Sequence, residues 1–246
     1  MISSEPLKIN ALVGWLSDLA LLKNQCDGWG ISAYQRSNLI LYFRESTPIW
    51  ERPTLHFPKA DIAIVHARKA SEGSISFLNS HPFARLYRGR FWSFCHNGSL
   101  KKELLKVKRG ELSLLGETDS ELLFLYILEG IEGSNLNKPE ETLSALSEVA
   151  GELKDKREEL RLSAVNFLLT DGSSLFAFRG ARLREEWFTL WVRDFEERLL
   201  RRDVRGSIIS SEPIPEKTDE WTSIPNWTLV GRWFGQNALM REETRV

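Results

Sequence analysis

The run Phe91-Trp-Ser-Phe-Cys-His-Asn-Gly98 constrains this chain more than any other stretch. Phe91 to Phe94 are mostly aromatic, which predicts a buried strand. The strand then reaches His-Asn-Gly, where Asn97 and Gly98 tolerate backbone angles that most residues avoid. Two readings of this tip stand side by side. Asn-Gly is the ordinary hairpin turn. It also presents an amide to a pocket, where the Asn97 side-chain N–H₂ and the Gly98 N–H together make an oxyanion hole.

The bulk of the chain narrows the choice. With 246 residues, 42% of them hydrophobic, 9 Trp and 13 Phe, it can build one large core or two small ones without staples. Its 33 basic and 34 acidic residues leave a net charge of −1, without the basic surplus of a dedicated nucleic-acid binder. Two cysteines, Cys26 and Cys95, fit a reducing compartment better than a disulfide framework. No apolar run is long enough to span a bilayer and the start has no signal-peptide pattern, so the expectation is a cytoplasmic chain with no membrane partner.

Taken in order, Ser3-Ser-Glu-Pro6 reads as a helix start, opening a helix that runs to Leu22 with no strand before it. Cys26–Tyr34 and Leu39–Phe43 read as a hairpin, and Glu45–Pro58 as a turn-rich crossing. Ile62–His66 is a short buried strand ending in polar residues. Ser99–Lys108 is predicted as a short helix, and an apolar helix reaching about Glu129 starts near Thr118 or Asp119, either of which can cap it. Glu140–Arg161 is an amphipathic helix with a solvated charged face. Leu162–Thr170 and Ser174–Phe178 flank Asp171-Gly172 as a hairpin, and strands near Trp187–Val192, Ser207–Ser210 and Trp227–Gly231 follow. Strands in blocks, then helices, then strands again predict an α+β fold with antiparallel sheets.

Polar clusters sit where these elements end. An Arg just past a buried strand, Arg68, suits a carboxylate, which it grips through two parallel N–H donors. An Asp at a helix N-terminus, Asp119, stays ionised and holds an ammonium group. With the Asn97 and Gly98 donors they compose a receptor for an α-amino acid with a polarisable carbonyl further along. The structural readings remain open beside these: Arg68 as a salt-bridge partner, Asp119 as a helix cap. His66, His81 and His96 lack metal-ligand spacing and have no cysteine pair beside them, so no metal is expected.

Five clusters, in this order, resemble the class II glutamine amidotransferases, in particular small stand-alone members. They are Asp27-Gly28-Trp29-Gly30, His66-Ala-Arg68-Lys-Ala-Ser71, Asn79-Ser-His81-Pro82-Phe83, His96-Asn97-Gly98 and Gly116-Glu-Thr-Asp119-Ser-Glu121. Ser210-Ser-Glu212-Pro213, followed by Trp221, is similar to the family's closing segment, and the likeness runs from about Ser4 to Trp233. It implies an N-terminal-nucleophile hydrolase fold, a four-layer αββα sandwich of two antiparallel sheets, formed as a single domain over residues 1–246. It implies Arg68 on the substrate α-carboxylate, Asp119 on the α-amino group, and Asn97 and Gly98 at the oxyanion, with Ser71 and His81 framing the pocket. No cofactor is implied. The substrate is a small molecule, glutamine or a γ-glutamyl amide, and a synthase partner is needed if ammonia is passed on. Asn24 and Gln25 depart from the Arg-Gly that larger members carry before their Asp.

The family's nucleophile is a cysteine at position one, with its own α-amine as base. This chain begins Met1-Ile2. Cys26 and Cys95 read as packing residues, and Cys95 adjoins His96 on a strand whose neighbouring side chains face opposite ways. Two explanations follow. The favoured one places the cysteine on a strand just upstream of Met1, which the abrupt entry into a helix supports. In the other, the chain is a non-catalytic module that binds glutamine or γ-glutamyl compounds. Whether the chain is an enzyme is left open, and as written it is expected not to hydrolyse an amide by the family's route.

Overall fold

In a computed structural model describing residues 1–51, 56–108, 113–199, 202–235 and 238–246, two antiparallel sheets stack face to face between helices. The strands are β1 (Ile2–Lys8), β2 (Trp29–Gln35), β3 (Asn38–Glu45), β4 (Lys59–Ala67), β5 (Phe83–Tyr87), β6 (Arg90–Ser99), β7 (Ala164–Thr170), β8 (Ser174–Arg179), β9 (Trp191–Leu199), β10 (Arg202–Ser210), β11 (Thr222–Ser223), β12 (Thr228–Phe234) and β13 (Leu239–Arg245). The helices are α1 (Asn10–Leu22), α2 (Asp119–Gly130) and α3 (Pro139–Asp155). One sheet runs β11-β9-β10-β1-β4-β2-β3 and the other β13-β12-β8-β7-β6-β5.

Three apolar clusters define the layers. Ile2, Tyr34, Ile62 and Ile64 of the first sheet meet Cys95, Leu175, Ala177 and Val230 of the second between the sheets. Phe94, Phe167, Phe176 and Phe178 turn the other way, onto Phe124 and Ile127 of α2 and Leu146 and Ala150 of α3. Trp29, Ile31, Ala63 and Ala67 cover the outer face of the first sheet, where Leu12, Val13 and Leu16 of α1 pack. The strand period of two produces this division: Cys95 and its neighbour Phe94 fall in different cores because successive side chains face opposite ways. The α+β fold and the αββα layering expected from the resemblance are what the chain adopts.

The departures are local. Ser3-Ser-Glu-Pro6 starts no helix; it lies in β1, between β10 and β4. The serines serve the sheet: Ser3 Oγ donates to the Glu5 carbonyl at 2.8 Å and Ser4 Oγ accepts from Arg205 N at 3.0 Å. Pro6, with no N–H to give, falls where the β1–β4 register shifts between Ile2 and Leu7. The chain therefore does not enter a helix without a strand before it, and that support for an upstream strand lapses. Ser99–Lys108 holds only a single 3-10 turn at Lys102–Leu104, and α3 stops at Asp155 rather than Arg161. The strand expected from Trp187 begins at Trp191. Part of the turn-rich Glu45–Pro58 stretch, residues 52–55, lies outside the described residues.

Asn97-Gly98 is not a hairpin turn either. Strand β6 continues through it, with Asn97 opposite Asn166 and Gly98 opposite Val165 on β7. Gly98 has φ +145°, and a Cβ there would stand 1.9 Å from the Ala164 carbonyl oxygen, so this crossing of β6 and β7 admits glycine alone.

Candidate active site

The ends of β4 and β6 open a cavity of about 440 Å³ between the sheets. Arg68, Ser71, His81, Asn97, Gly98 and Asp119 all line it, although they come from four separate clusters. Strand alternation sets their direction. Ile62 and Ile64 face the inter-sheet core, so His66 and Arg68, further along in the same phase, face it too; Cys95 and Asn97 do the same from β6.

Arg68 is almost fully buried, and its guanidinium is held by the loop that follows it. One terminal nitrogen donates to the Glu72 carbonyl at 2.7 Å and the other to the Ser74 carbonyl at 3.2 Å. Its main chain is clamped to the start of the Asp27 motif: Arg68 N donates to Gly28 O at 2.8 Å, and Asp27 N to Arg68 O at 3.0 Å. Asp27 Oδ2 accepts from Ala70 N at 2.8 Å. Burial works to raise the Asp27 pKa, but the Ala70 N–H, the Cys26 thiol and the Lys69 and Arg68 charges outweigh it and hold the carboxyl below its ordinary value. Burial lowers the Arg68 pKa, while the Asp27 and Asp119 charges oppose that shift.

Asp119 is buried at the first turn of α2. Its Oδ2 accepts from Leu100 N and its Oδ1 from Ser120 N, both at 2.8 Å. The helix is capped by Thr118, whose hydroxyl accepts from Glu121 N at 3.2 Å. Glu121 is wholly buried and anchors the approach: its carboxylate accepts from Leu115 N at 3.0 Å and Gly116 N at 2.7 Å and pairs with Arg85. Asn79 stitches the two loops together, donating to Ser74 O at 3.0 Å and accepting from Glu117 N at 2.9 Å. The glycines at Gly28 and Gly30 let β2 press on this layer, since a Cβ would stand 2.4 Å from Ser80 Oγ at the first and 2.5 Å from His81 O at the second.

The Asn97 side chain is exposed to the cavity and has no hydrogen-bond partner among the described residues. Ser71 is exposed at the rim. His81 is buried behind His66, with Nδ1 3.2 Å from His66 Nε2 and ring centroids 4.4 Å apart. Burial lowers the pKa of all three histidines: His66 falls to about 3, His81 falls well below its ordinary value, and His96 falls as well. All three are therefore neutral near pH 7. Among the described residues no three His, Cys, Asp or Glu side chains gather as a metal-holding group.

Of the two thiols, Cys95 lines the cavity, but burial pushes its pKa up to about 12, far from the thiolate a nucleophile needs. Cys26 lies outside the lining and donates to Asp27 Oδ1 at 3.3 Å. The Met1 amine is buried against the Ala63 carbonyl at 2.9 Å and also faces the cavity. Beyond it, β4 runs on to Ala67 and β10 to Ser210. Val65, Ala67, Ile208 and Ile209 of these two strands also line the cavity.

Sequence reasoning passed over Asn166 and Trp187, which also line the cavity. Asn166 carries the wall: its Nδ2 donates to Phe188 O at 3.1 Å and its Oδ1 accepts from Gly180 N at 3.0 Å. Trp187 stands at the mouth with Lys23 Nζ 5.3 Å from its ring centre, and Lys23 bridges to Glu212 at 3.0 Å. An asparagine inside a buried apolar strand, Val-Asn-Phe-Leu-Leu, was the available signal for Asn166.

With fold and cavity in view, the chain can be placed: it belongs to the class II glutamine amidotransferases, whose family model matches residues 3–245. It is 31% identical to the Escherichia coli K12 protein named "Putative glutamine amidotransferase YafJ", over 88% of this chain and 83% of the other. A crystal structure described as a predicted glutamine amidotransferase from Pseudomonas aeruginosa PA01 matches with a TM-score of 0.62 at 25% identity, covering 87% of each chain. Glutamine phosphoribosylpyrophosphate amidotransferase from Bacillus subtilis shares the fold alone. There the TM-score is 0.61 at 16% identity, over 98% of this chain and 48% of the other.

Proposed function

We propose that residues 1–246 act as a single glutaminase-type domain that binds glutamine or a γ-glutamyl amide and opens its side-chain amide through a cysteine thioester. Arg68 takes the α-carboxylate, with its remaining N–H groups beyond the two spent on Glu72 and Ser74. Asp119 takes the α-ammonium, and Ser71 and His81 frame the head group. The Asn97 amide and the Gly98 N–H receive the oxyanion of the tetrahedral intermediate. The observation that carries this reading is the shared cavity: a buried cation, a buried anion and an unpartnered amide donor converge on one space.

The nucleophile in this reading is a cysteine on a strand ahead of Met1, carried to the cavity that the Met1 amine already faces. Attack by its thiolate on the γ-carbonyl expels the amine, which takes a proton, and water then cleaves the thioester to glutamate. Transfer of ammonia calls for an acceptor site on a synthase partner; hydrolysis needs none. The second reading, a binding module without chemistry, is favoured by the state of Cys95, since no thiol now in the cavity is fit to attack.

Thermal unfolding with millimolar L-glutamine or a γ-glutamyl amide tests the binding. The melting temperature is expected to rise for the wild-type chain and to stay put in Arg68→Ala and Asp119→Asn. No rise in the wild type sinks both readings. Extending the chain with an N-terminal cysteine-bearing strand separates them, since glutamate release by the extended chain is expected only of the enzyme.

A further inference from the structure

We propose that His96 is a positioning residue that keeps Asp119 open to the substrate ammonium by drawing the Ser120 hydroxyl proton away from it. This rests on the role given to Asp119 above and adds one for His96, the residue that precedes the oxyanion donors.

His96 is buried where β6, β7 and the start of α2 meet. Its Nε2 lies 3.2 Å from the Ala164 carbonyl oxygen, which can only accept, so Nε2 carries a hydrogen. Burial holds the ring neutral against the pull of Asp119, and a neutral imidazole has a single N–H. Nδ1 is therefore an acceptor, and the Ser120 Oγ at 2.9 Å is its donor.

Ser120 has one hydroxyl proton and a second place to spend it, because Asp119 Oδ1 lies 3.3 Å from the same Oγ. The shorter contact to His96 takes it. Among the described residues Asp119 then keeps two donors, Leu100 N on Oδ2 and Ser120 N on Oδ1, of the roughly four that a carboxylate accepts. The remaining lone pairs are left for a cation from the cavity. With no acceptor at position 96, the hydroxyl turns to Oδ1 and competes with the ligand. The ring thus couples the amine-binding end of the site to the strand that carries Asn97.

Calorimetric titration with L-glutamine and with glutaramate, which is glutamine without its α-amine, reads this directly. The wild-type chain is expected to prefer glutamine by about tenfold, the scale of one hydrogen bond to a charged group. His96→Phe is expected to lose that preference while binding glutaramate as before, and His96→Phe/Ser120→Ala to regain it. A merely structural histidine would weaken both ligands alike, with no rescue by Ser120→Ala; that result, or a preference kept in His96→Phe, overturns the proposal. If His96→Phe does not fold, the ¹⁵N shifts of the wild-type histidine rings decide at neutral pH. A neutral Nε2–H tautomer at His96 supports the proposal, and an Nδ1–H tautomer or an imidazolium overturns it. Absence of glutamine binding by the wild type overturns the reading of the site and this inference with it.

Discussion

Asn97 and Gly98 are adjacent, yet their constraints differ in kind. Asn97 has freedom: its amide points into the cavity and no described residue claims it. In a chain carrying the cysteine strand, Asn97→Ala is expected to lower kcat about a hundredfold, the usual loss when one oxyanion donor goes. KM should change little, which steady-state kinetics would show. Gly98 has none. A methyl group there meets Ala164 O and His96 Nε2 at once, so Gly98→Ala is expected to lower the melting temperature with or without ligand. A Gly98→Ala protein as stable as the wild type would mean that β6 and β7 are less closely apposed than described.

Among the elements, α2 bears most directly on the site, because its first turn supplies Asp119 and its Thr118 cap fixes where that turn begins. Glu121 belongs to the same polar cluster as Asp119. It spends its own buried carboxylate on Leu115 N, Gly116 N and Arg85. Glu121→Leu leaves Arg85 buried and unpaired, and breaking such a pair costs about 3–5 kcal/mol. Urea unfolding is expected to show a loss of that size. Arg85→Leu in the same chain is expected to recover part of it, since an uncompensated buried charge is costlier than an absent pair.

At the scale of the molecule, the three neutral histidines bind the layers in a way that depends on acidity. Each has a folded pKa below the ordinary 6.5, so the unfolded chain takes up protons that the folded chain refuses. Their contribution to stability is therefore fully present above about pH 6.5 and is lost on acidification through the window down to about 3, the value for His66. Stability is expected to fall between pH 7 and pH 5, each histidine adding up to about 1.4 kcal/mol per pH unit to the slope. His66→Gln should flatten that slope when urea midpoints are compared across the range. An unchanged slope would mean that His66 titrates normally in the folded protein. No helix among the described residues is long and apolar enough to cross a membrane.

What the sequence by itself determined was local chemistry and its order. The aromatic run before His96 marked a strand, buried from Trp92 onward, Asp171-Gly172 marked a hairpin turn, and the five polar clusters carried the family with them. Residues whose partners lie far along the chain were not legible in the same way. Ser3 and Ser4 offer hydroxyls to a helix cap or to a sheet with equal ease, and the choice fell to β10 and β4, some 200 and 60 residues away. Asn97-Gly98 makes a good turn in isolation, and the pairing with Asn166 and Val165 overrode that preference. The neutrality of His96, and with it the free face of Asp119, was decided only by assembly of the layers. A side chain's protonation answers to the carbonyl and hydroxyl set against it, and those arrive only when β7 and α2 close over β6.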